Sequence, residues 1–545
     1  MSEYNNKKIQ IFLPLVIAIS IVFGVLLSFV FTKHQNINDF LSTDLPQDKL
    51  TTVINYVESQ YVDTINRKEL EEIAIPKFLE SLDPHTTYSS AEETKEMEEE
   101  LQGNFEGIGV QFNIFKDTVY VVKVIEGGPS EFSGVFAGDR IVKVNDSLIA
   151  GVGINNDKVM KLLKGPGGSK VTIDIKRKGN ENLIPITIKR GNIPISSIDA
   201  HYMIDKNTGY IKISSFSLFT YQDFLNTVST MKRKGINALV VDLRNNSGGY
   251  LSAATNMIDE FLEAGKMIVY TEGRARDRVN FLSTKERSEF VDLKIAVLVD
   301  DFSASASEIF AGAIQDNDRG TIIGRRTFGK GLVQEAKIFN DGSMIRLTTA
   351  RYYTPSGRCI QKPYGKDVSD YYSEIANRFY HGEFIEKDSI NFKDSIIYYT
   401  SGGRKVYGGG GIMPDIFVPI DTAGYSPLFG EINKKNLTYN FALEYVDKNR
   451  NKLLTVRNIN EIQKFLNSNN AFEEFWGYIS KNNVIIKSDE LKISKIYIEN
   501  NLSAYIARQV LDENAFYEIA NKFDPSIDSA MVVFRTSSIN TLKVK

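Results

Sequence analysis

Residues 295–314 read IAVLVDDFSASASEIFAGAI. The run Ile295-Ala296-Val297-Leu298-Val299 has no polar alternation, which is the pattern of a strand buried on both faces. Two aspartates follow, then three serines alternating with alanines, then apolar residues at helical spacing. A strand that turns directly into a helix is the repeating unit of an α/β core. Open α/β sheets hold their sites at this carboxyl end of the strands. The helix N-terminus adds free N–H groups and the positive end of a dipole, both suited to an oxyanion. A serine at this place also has a plain use as an N-cap, so this stretch alone does not decide for chemistry.

The flanking sequence repeats the alternation. Ala238-Leu239-Val240-Val241 is a second apolar run, closed by the turn Asn245-Asn246-Ser247-Gly248-Gly249. A helix is expected after it, with Ala253, Ala254, Met257, Ile258, Phe261 and Leu262 turned inward. Ile322 and Ile323 mark a third short strand. Residues 192–360 thus alternate strand and helix, and the core domain is assigned to 192–424, with a Tyr- and charge-rich excursion at 364–400. Upstream, residues 103–191 show short alternating strands such as Val119-Tyr120-Val121-Val122 and Val171-Thr172-Ile173-Asp174-Ile175. The turns Gly127-Gly128-Pro129 and Gly165-Pro166-Gly167-Gly168 punctuate them, and one helix fits Asp157 to Leu163. That content suits a small, partly open barrel.

Residues 33–46 read as a linker and 47–102 as helices, so 33–102 forms an N-terminal region. One helical face carries Val53, Ile54, Val57 and Tyr61, and another Leu70, Ile73, Ala74, Phe78 and Leu79. Ser90 with Glu93 predicts a capping box, and the glutamates around it read as a solvated face. Residues 425–545 are Asn/Lys/Glu-rich and mostly helical, and no internal repeat is present. At the start of the chain, residues 11–31 carry no charge and are long enough for a membrane-spanning helix. Lys7 and Lys8 precede them, which predicts a cytoplasmic stretch at 1–10, a single anchor at 11–32 and everything later outside the cytoplasm. No A-x-A-like site follows, which disfavours a cleaved signal peptide.

The chain has 545 residues, enough for three or four folded units, and a formal net charge of −3. No clustered basic excess points to nucleic acid. Cys359 is the sole cysteine, which rules out an intramolecular disulfide and argues against a cysteine-based metal site. No cofactor and no metal are expected. The four histidines are His34, His85, His201 and His381, and none lies in a recognisable triad motif.

A serine nucleophile needs a base. Thr327-Phe328-Gly329-Lys330-Gly331-Leu332-Val333-Gln334 offers one, because flanking glycines let the backbone pack closely around the lysine. Burial disfavours the ammonium and makes the amine a usable general base. The P-loop pattern is absent, since Gly331 stands where the hydroxyl residue should be. The Gly248-Gly249 turn after a strand lets main-chain N–H groups reach a substrate carbonyl, with Ala306 N–H as the natural second donor.

Together with Leu82-Asp83-Pro84-His85-Thr86-Thr87-Tyr88, Phe105-Glu106-Gly107-Ile108-Gly109-Val110 and Gly408-Gly409-Gly410-Gly411-Ile412-Met413-Pro414-Asp415, these runs resemble the carboxy-terminal processing peptidases, the S41 serine proteases. The resemblance implies a multidomain α/β protein with a ClpP/crotonase-like core, an inserted PDZ domain at 103–191, and helical N- and C-terminal regions. It places the nucleophile 25 residues before the catalytic lysine, hence Ser305 with Lys330, leaving Ser303 and Ser307 as structural. A glutamine one helical turn after the lysine completes some members' triad and matches Gln334. The oxyanion hole maps to the main chain of Gly248, Gly249 and Ala306. Asp316 matches an auxiliary acidic position, with a solvated helix-end residue as the plain alternative. Ser247 departs from the proline that often occupies that turn.

The PDZ resemblance makes Gly107, Ile108, Gly109 and Val110 the carboxylate-binding loop, with Val110-Gln111-Phe112 pairing to a ligand strand. The expected substrates are unstructured envelope polypeptides with apolar C-termini, some delivered by an adaptor protein, and the helical regions leave a homodimer open. Two rivals stand beside this serine endopeptidase reading. One is a non-catalytic membrane-anchored PDZ peptide-binding protein, and the other is a crotonase-like acyl-CoA enzyme.

Overall fold

A computed structural model of the chain describes residues 14, 18–25, 48–285, 288–365, 368–390 and 396–543, with side chains through 536. The chain divides into two units, 1–77 and 78–545. Residues 14 and 18–25 are helical, and the rest of the expected anchor lies outside the described residues. Among the described residues no helix is long and apolar enough to cross a membrane.

In the first unit, helix α1 (Lys49–Gln60) starts at an Asp48 N-cap, and α2 (Arg67–Leu79) follows it. The Arg67 guanidinium donates to Asn55 at 2.9 Å and Glu58 at 3.1 Å on α1, and to Glu71 at 3.0 Å on α2. The face expected to carry Val53, Ile54, Val57 and Tyr61 is not a core face, because α1 buries no residue. On α2, Leu79 alone is buried, and Ile73 and Phe78 are exposed.

The second unit begins with strand β1 (Thr87–Ser89) and helix α3 (Ala91–Gln102). The expected capping box is present at α3, with Ser90 N–H on Glu93 Oε2 at 2.8 Å. Strand β2 (Asn104–Gly107) leads into an antiparallel domain of β3 (Val110–Phe115), β4 (Thr118–Val124), the short helix α4 (Pro129–Phe132), β5 (Arg140–Val144), β6 (Ser147–Leu148), α5 (Asn156–Leu163), β7 (Lys170–Lys176) and β8 (Ile184–Lys189). Its sheet runs β3-β4-β5-β7-β8 with β6 on β5, so β3 is an edge strand. Val119, Val121, Ile141, Val144, Val159, Ile173, Ile175 and Ile188 form its own core. The chain leaves through β9 (Gly191–Pro194), which pairs antiparallel with β2. The domain therefore hangs on a two-stranded stalk.

The core sheet contains β10 (Ile198–Met203), β11 (Thr208–Ile213), β12 (Ala238–Asp242), β15 (Lys294–Val299), β16 (Thr321–Gly324) and β21 (Ile416–Phe417), in that spatial order. All neighbours are parallel except β10 and β11. Helices α6 (Thr220–Arg233), α7 (Leu251–Asp259) and α8 (Ala306–Asp316) cover one face around Phe224, Phe261, Phe290 and Phe310. The six inward residues expected after the Gly-Gly turn are all buried.

A second sheet joins β1, β13 (Met267–Gly273), β14 (Arg276–Leu282), β17 (Leu332–Ile338) and β18 (Met344–Tyr353). Lys330 to Gln334 thus runs from a loop into a strand, and their spacing is not a helical turn. The excursion at 364–400 contributes helix α9 (Val368–Tyr380) and strand β19 (Ile397–Tyr399), which pairs with β20 (Lys405–Tyr407).

The C-terminal region builds a core of its own from α10 (Pro427–Lys434), α11 (Leu437–Leu453), α12 (Ile459–Ser468), α13 (Ala471–Lys481), α14 (Ser488–Val510) and α15 (Glu513–Ala520). The last helix, α16 (Pro525–Lys543), leaves that bundle. Its Ile527, Ala530 and Phe534 pack on Tyr210, Val240, Ala296, Leu298 and Ile323, the second face of the core sheet.

Candidate active site

Ser305 sits between β15 and α8 with φ +54°, a left-handed conformation that a side chain other than glycine rarely adopts. The surrounding hydrogen bonds hold it there. The Asp300 carboxylate accepts N–H bonds from Asn245 at 3.0 Å, Phe302 at 3.1 Å and Ser303 at 3.1 Å. Ser303 Oγ donates to Leu243 O at 2.8 Å, and Ser307 Oγ to Asn246 O at 2.9 Å. These two buried serines fasten the strand-to-helix turn onto the Gly-Gly turn. Ser305 is the N-cap of α8 and forms a capping box with Glu308, whose N–H reaches the Ser305 carbonyl at 2.9 Å and whose carboxylate accepts the Ser305 N–H at 2.9 Å. The plain use of this serine as an N-cap therefore stands beside any use in chemistry.

The turn at 245–249 is built against Ser305. Asn246 Nδ2 donates to Ile213 O at 2.9 Å, and Ala304 N–H donates to Asn246 O at 3.0 Å. Gly248 has φ +109°, and a Cβ there would stand 2.8 Å from Ser305 Cβ. A Cβ on Gly249 would meet the Phe216 carbonyl oxygen at 2.2 Å. Of the three main-chain donors, Gly248 N–H is engaged by Asn246 Oδ1 at 2.9 Å. Gly249 and Ala306 N–H donate to no acceptor among the described residues.

Two groups clamp Ser305 to Lys330. Glu308 Oε2 accepts Ser305 N–H at 2.9 Å and Lys330 N–H at 2.8 Å. The two main-chain nitrogens are therefore no farther apart than the sum of those distances. Glu308 Oε1 accepts Thr327 Oγ1 at 2.5 Å and Gly329 N–H at 2.7 Å. On the carbonyl side, the Tyr352 hydroxyl lies 3.2 Å from Ser305 O and 2.5 Å from Lys330 O. Burial pushes the Glu308 carboxyl up, against the hydrogen bonds that favour its charged form.

The Lys330 amine makes neither an ion pair nor a hydrogen bond among the described residues. Burial lowers its pKa to about 8, with Arg346 acting in the same direction and Glu308 and Asp83 against it. The Gln334 side-chain amide donates to the His85 carbonyl. Asp316 is not brought to this cluster. It ends α8 while Ser305 precedes its start, and it is neither solvated nor free: it is 1% exposed and bonds Arg358 at 2.7 Å and Ser356 Oγ at 2.7 Å.

Three comparisons bear on this cluster. The model of peptidase family S41 matches residues 207–369, a PDZ domain model matches 107–188, and a family of unknown function matches 428–512. The carboxy-terminal processing protease CtpA of Bacillus subtilis is 35% identical over 58% of this chain and 66% of its own length. The carboxy-terminal-processing protease of Bartonella bacilliformis is 35% identical over 62% of this chain and 79% of that protein. This chain belongs to the carboxy-terminal processing proteases. A solved PDZ domain of a carboxy-terminal protease from Vibrio cholerae, in complex with peptide, is 32% identical over 17% of this chain and 99% of that one, at a TM-score of 0.16.

In this processing protease, the expected carboxylate-binding loop joins β2 to the edge strand β3. Gly109 has φ +78°, Ile108 O accepts Ser130 N–H at 2.9 Å, and Gly109 O accepts Ile125 N–H at 3.0 Å. The N–H groups of Ile108 and Gly109 donate to no acceptor among the described residues. Sequence reasoning missed Glu308, Tyr352 and His85 as site residues. Glu308 had a signal, since a glutamate three residues after a helix-starting serine is the capping-box spacing. Tyr352 had none, as it arrives from a distant strand, and His85 lies in the 82–88 run that carries the family resemblance but was given no role there.

Proposed function

We propose that this processing protease is a serine endopeptidase that holds C-terminal tails in its PDZ domain and cleaves the polypeptide through an acyl-enzyme at Ser305. The observation that carries this reading is the double clamp on Ser305 and Lys330, beside the Gly249 and Ala306 N–H groups, which have no acceptor among the described residues. The unprotonated Lys330 amine takes the Ser305 proton as Oγ bonds to the scissile carbonyl carbon. Negative charge moves to the carbonyl oxygen, where Gly249 and Ala306 N–H stabilise it. The Lys330 ammonium then returns the proton to the leaving amine as the C–N bond breaks. Water hydrolyses the ester, with Lys330 again taking the proton. Gln334, on β17 with its amide on the His85 carbonyl, belongs to the same reading as the third member of the site. Exposed Leu218, Phe219 and Phe302 near the Gly-Gly and serine turns supply an apolar wall for the substrate.

Tail capture follows strand addition, with a ligand strand on β3 and its carboxylate on the Ile108 and Gly109 N–H groups. Residues 11–31 anchor the protein in the cytoplasmic membrane, and the catalytic part faces the envelope side. An adaptor and a homodimer belong to the same reading as further partners. The test is turnover of a peptide with an apolar C-terminus by the full-length chain, compared with Ser305→Ala and Lys330→Ala. Both variants should fall to background. Equal turnover by all three proteins would return the molecule to the non-catalytic tail-binder.

A further inference from the structure

Two pieces of chain from outside the dyad are bonded to the segment that carries Lys330, a residue the fold leaves half-buried. The first is the turn at 82–88. Its Asp83 carboxylate accepts His85 N–H at 2.8 Å, Thr86 N–H at 2.9 Å, the Thr86 hydroxyl at 2.6 Å and the Thr348 hydroxyl at 3.1 Å. Thr348 N–H donates to Thr86 Oγ1 at 3.1 Å, which pins the turn to β18, the strand that carries Tyr352. The second piece is α9. Its Tyr371 hydroxyl lies 2.7 Å from His85 Nε2, and the two rings meet edge-on at 5.1 Å. Tyr371 also packs edge-on against Phe328 at 5.9 Å and accepts from Gln361 Nε2 at 3.3 Å. Gln361 Oε1 in turn accepts Gly331 N–H at 2.8 Å. Tyr372 on the same helix donates to Pro84 O at 2.9 Å.

We propose that His85 is a positioning residue for the general base: held between Gln334 and Tyr371, it roofs the Lys330 pocket, keeps water from the amine, and so keeps that amine neutral. The inference rests on the Ser305–Lys330 reading. It gives a part to the turn at 82–88 and to the excursion that carries α9, neither of which supplies a reacting atom.

Charged and titratable groups face the pocket from several elements. Arg346 comes from β18, Glu308 from α8, and Asp83 and His85 from the turn. Lys362 faces His85. It lies 4.1 Å from the Phe328 ring and 4.1 Å from the Tyr371 ring, and bonds Glu374 on α9 at 3.0 Å. Burial pushes His85 down to about 4, Lys330 and Lys362 push the same way, and Asp83 opposes them. The imidazole is therefore uncharged in the working range and acts as a wall, since its Nε2 is already engaged by Tyr371. Without that wall, water reaches the Lys330 ammonium, its pKa climbs toward the ordinary lysine value, and less neutral amine remains at a given pH.

The experiment is the pH dependence of Ser305 labelling by a fluorophosphonate, which needs no natural substrate, on the full-length chain in detergent. In the starting protein the labelling rate should rise with pH and vanish in Lys330→Ala. In His85→Ala the rising limb should move up by about one pH unit or more, so labelling near neutrality falls about tenfold while the alkaline plateau is kept. Tyr371→Phe keeps the ring but drops the hydroxyl, and should shift the limb the same way by less. Limbs that stay in place in both variants, with only a lower plateau, overturn the proposal. An unmoved limb in Tyr371→Phe overturns it even if His85→Ala fails to fold. A starting protein that is never labelled, or that labels equally after Lys330→Ala, instead sinks the peptidase reading itself.

Discussion

The Glu308 carboxylate accepts bonds from Thr327, Gly329, Lys330 and Ser305, and the last two fix the dyad's main chain. Glu308→Gln would point an NH2 group at donors that have no other acceptor among the described residues. Hydrogen bonds to a charged group contribute about 1.5–3 kcal/mol, so a stability loss of that order is expected by thermal denaturation. Peptide turnover should fall about a hundredfold or more, because small misplacements of reacting groups are enough for that. The pH profile belongs to the same scale. The reactive form of Lys330 is the unprotonated one, with its pKa lowered to about 8, so kcat/KM should rise with pH through that value. A profile already flat from pH 6 to 9 would mean that the amine is not the base. The sequence singled out Ser305 and Lys330 through the 25-residue spacing that the family resemblance implies, and Gly248-Gly249 through a local turn pattern. Tyr352 and His85 were not legible as site residues, because their part depends on β18 and the turn at 82–88 being folded beside the dyad.

At the scale of elements, the buried strands declared themselves. The runs Ala238–Val241 on β12 and Ile295–Val299 on β15 are buried on both faces, and an unbroken apolar run admits few other readings. The amphipathic pattern of α1 misled, since periodicity states that a face is apolar but not that a partner covers it. Nothing local foretold how the PDZ domain meets the helical bundle. Arg140 bonds Asp447 on α11 at 3.0 Å, Lys116 bonds Glu444 at 2.8 Å, and Arg450 donates to the Tyr120 hydroxyl at 3.0 Å. A Cβ on Gly138 would stand 2.6 Å from the Arg450 guanidinium. Partly exposed pairs of this kind contribute about 0.2–1 kcal/mol each and weaken with salt. Asp447→Ala should therefore raise hydrogen exchange in β4 and β5 several-fold without lowering the main unfolding temperature. Unchanged exchange would show that the ion pairs do not hold the domain in place.

Across residues 78–545, the core sheet is closed by the end of the chain. Ile527, Ala530 and Phe534 on α16 cover β11, β12, β15 and β16, and Lys294 Nζ bonds the Phe534 carbonyl at 3.1 Å. Phe534→Ala should destabilise the core by about 3–5 kcal/mol, because it opens a cavity against the apolar face of the sheet. Denaturant unfolding would read this directly, and a change near zero would mean that α16 is a loose tail. The sequence showed helices at 425–545 but not which of them left the bundle. That choice is made by the apolar face of a sheet more than two hundred residues upstream.

The stalk formed by β2 and β9 has its own consequence. Asn104 faces Pro194 and Gly107 faces Gly191, so the points where the chain leaves and re-enters the protease are hydrogen-bonded neighbours. Everything between them is a cassette. On the proposed reading, another tail-reading module with adjacent ends, grafted on that stalk in place of this domain and its contacts with α11, would aim the same chemistry at different polypeptides.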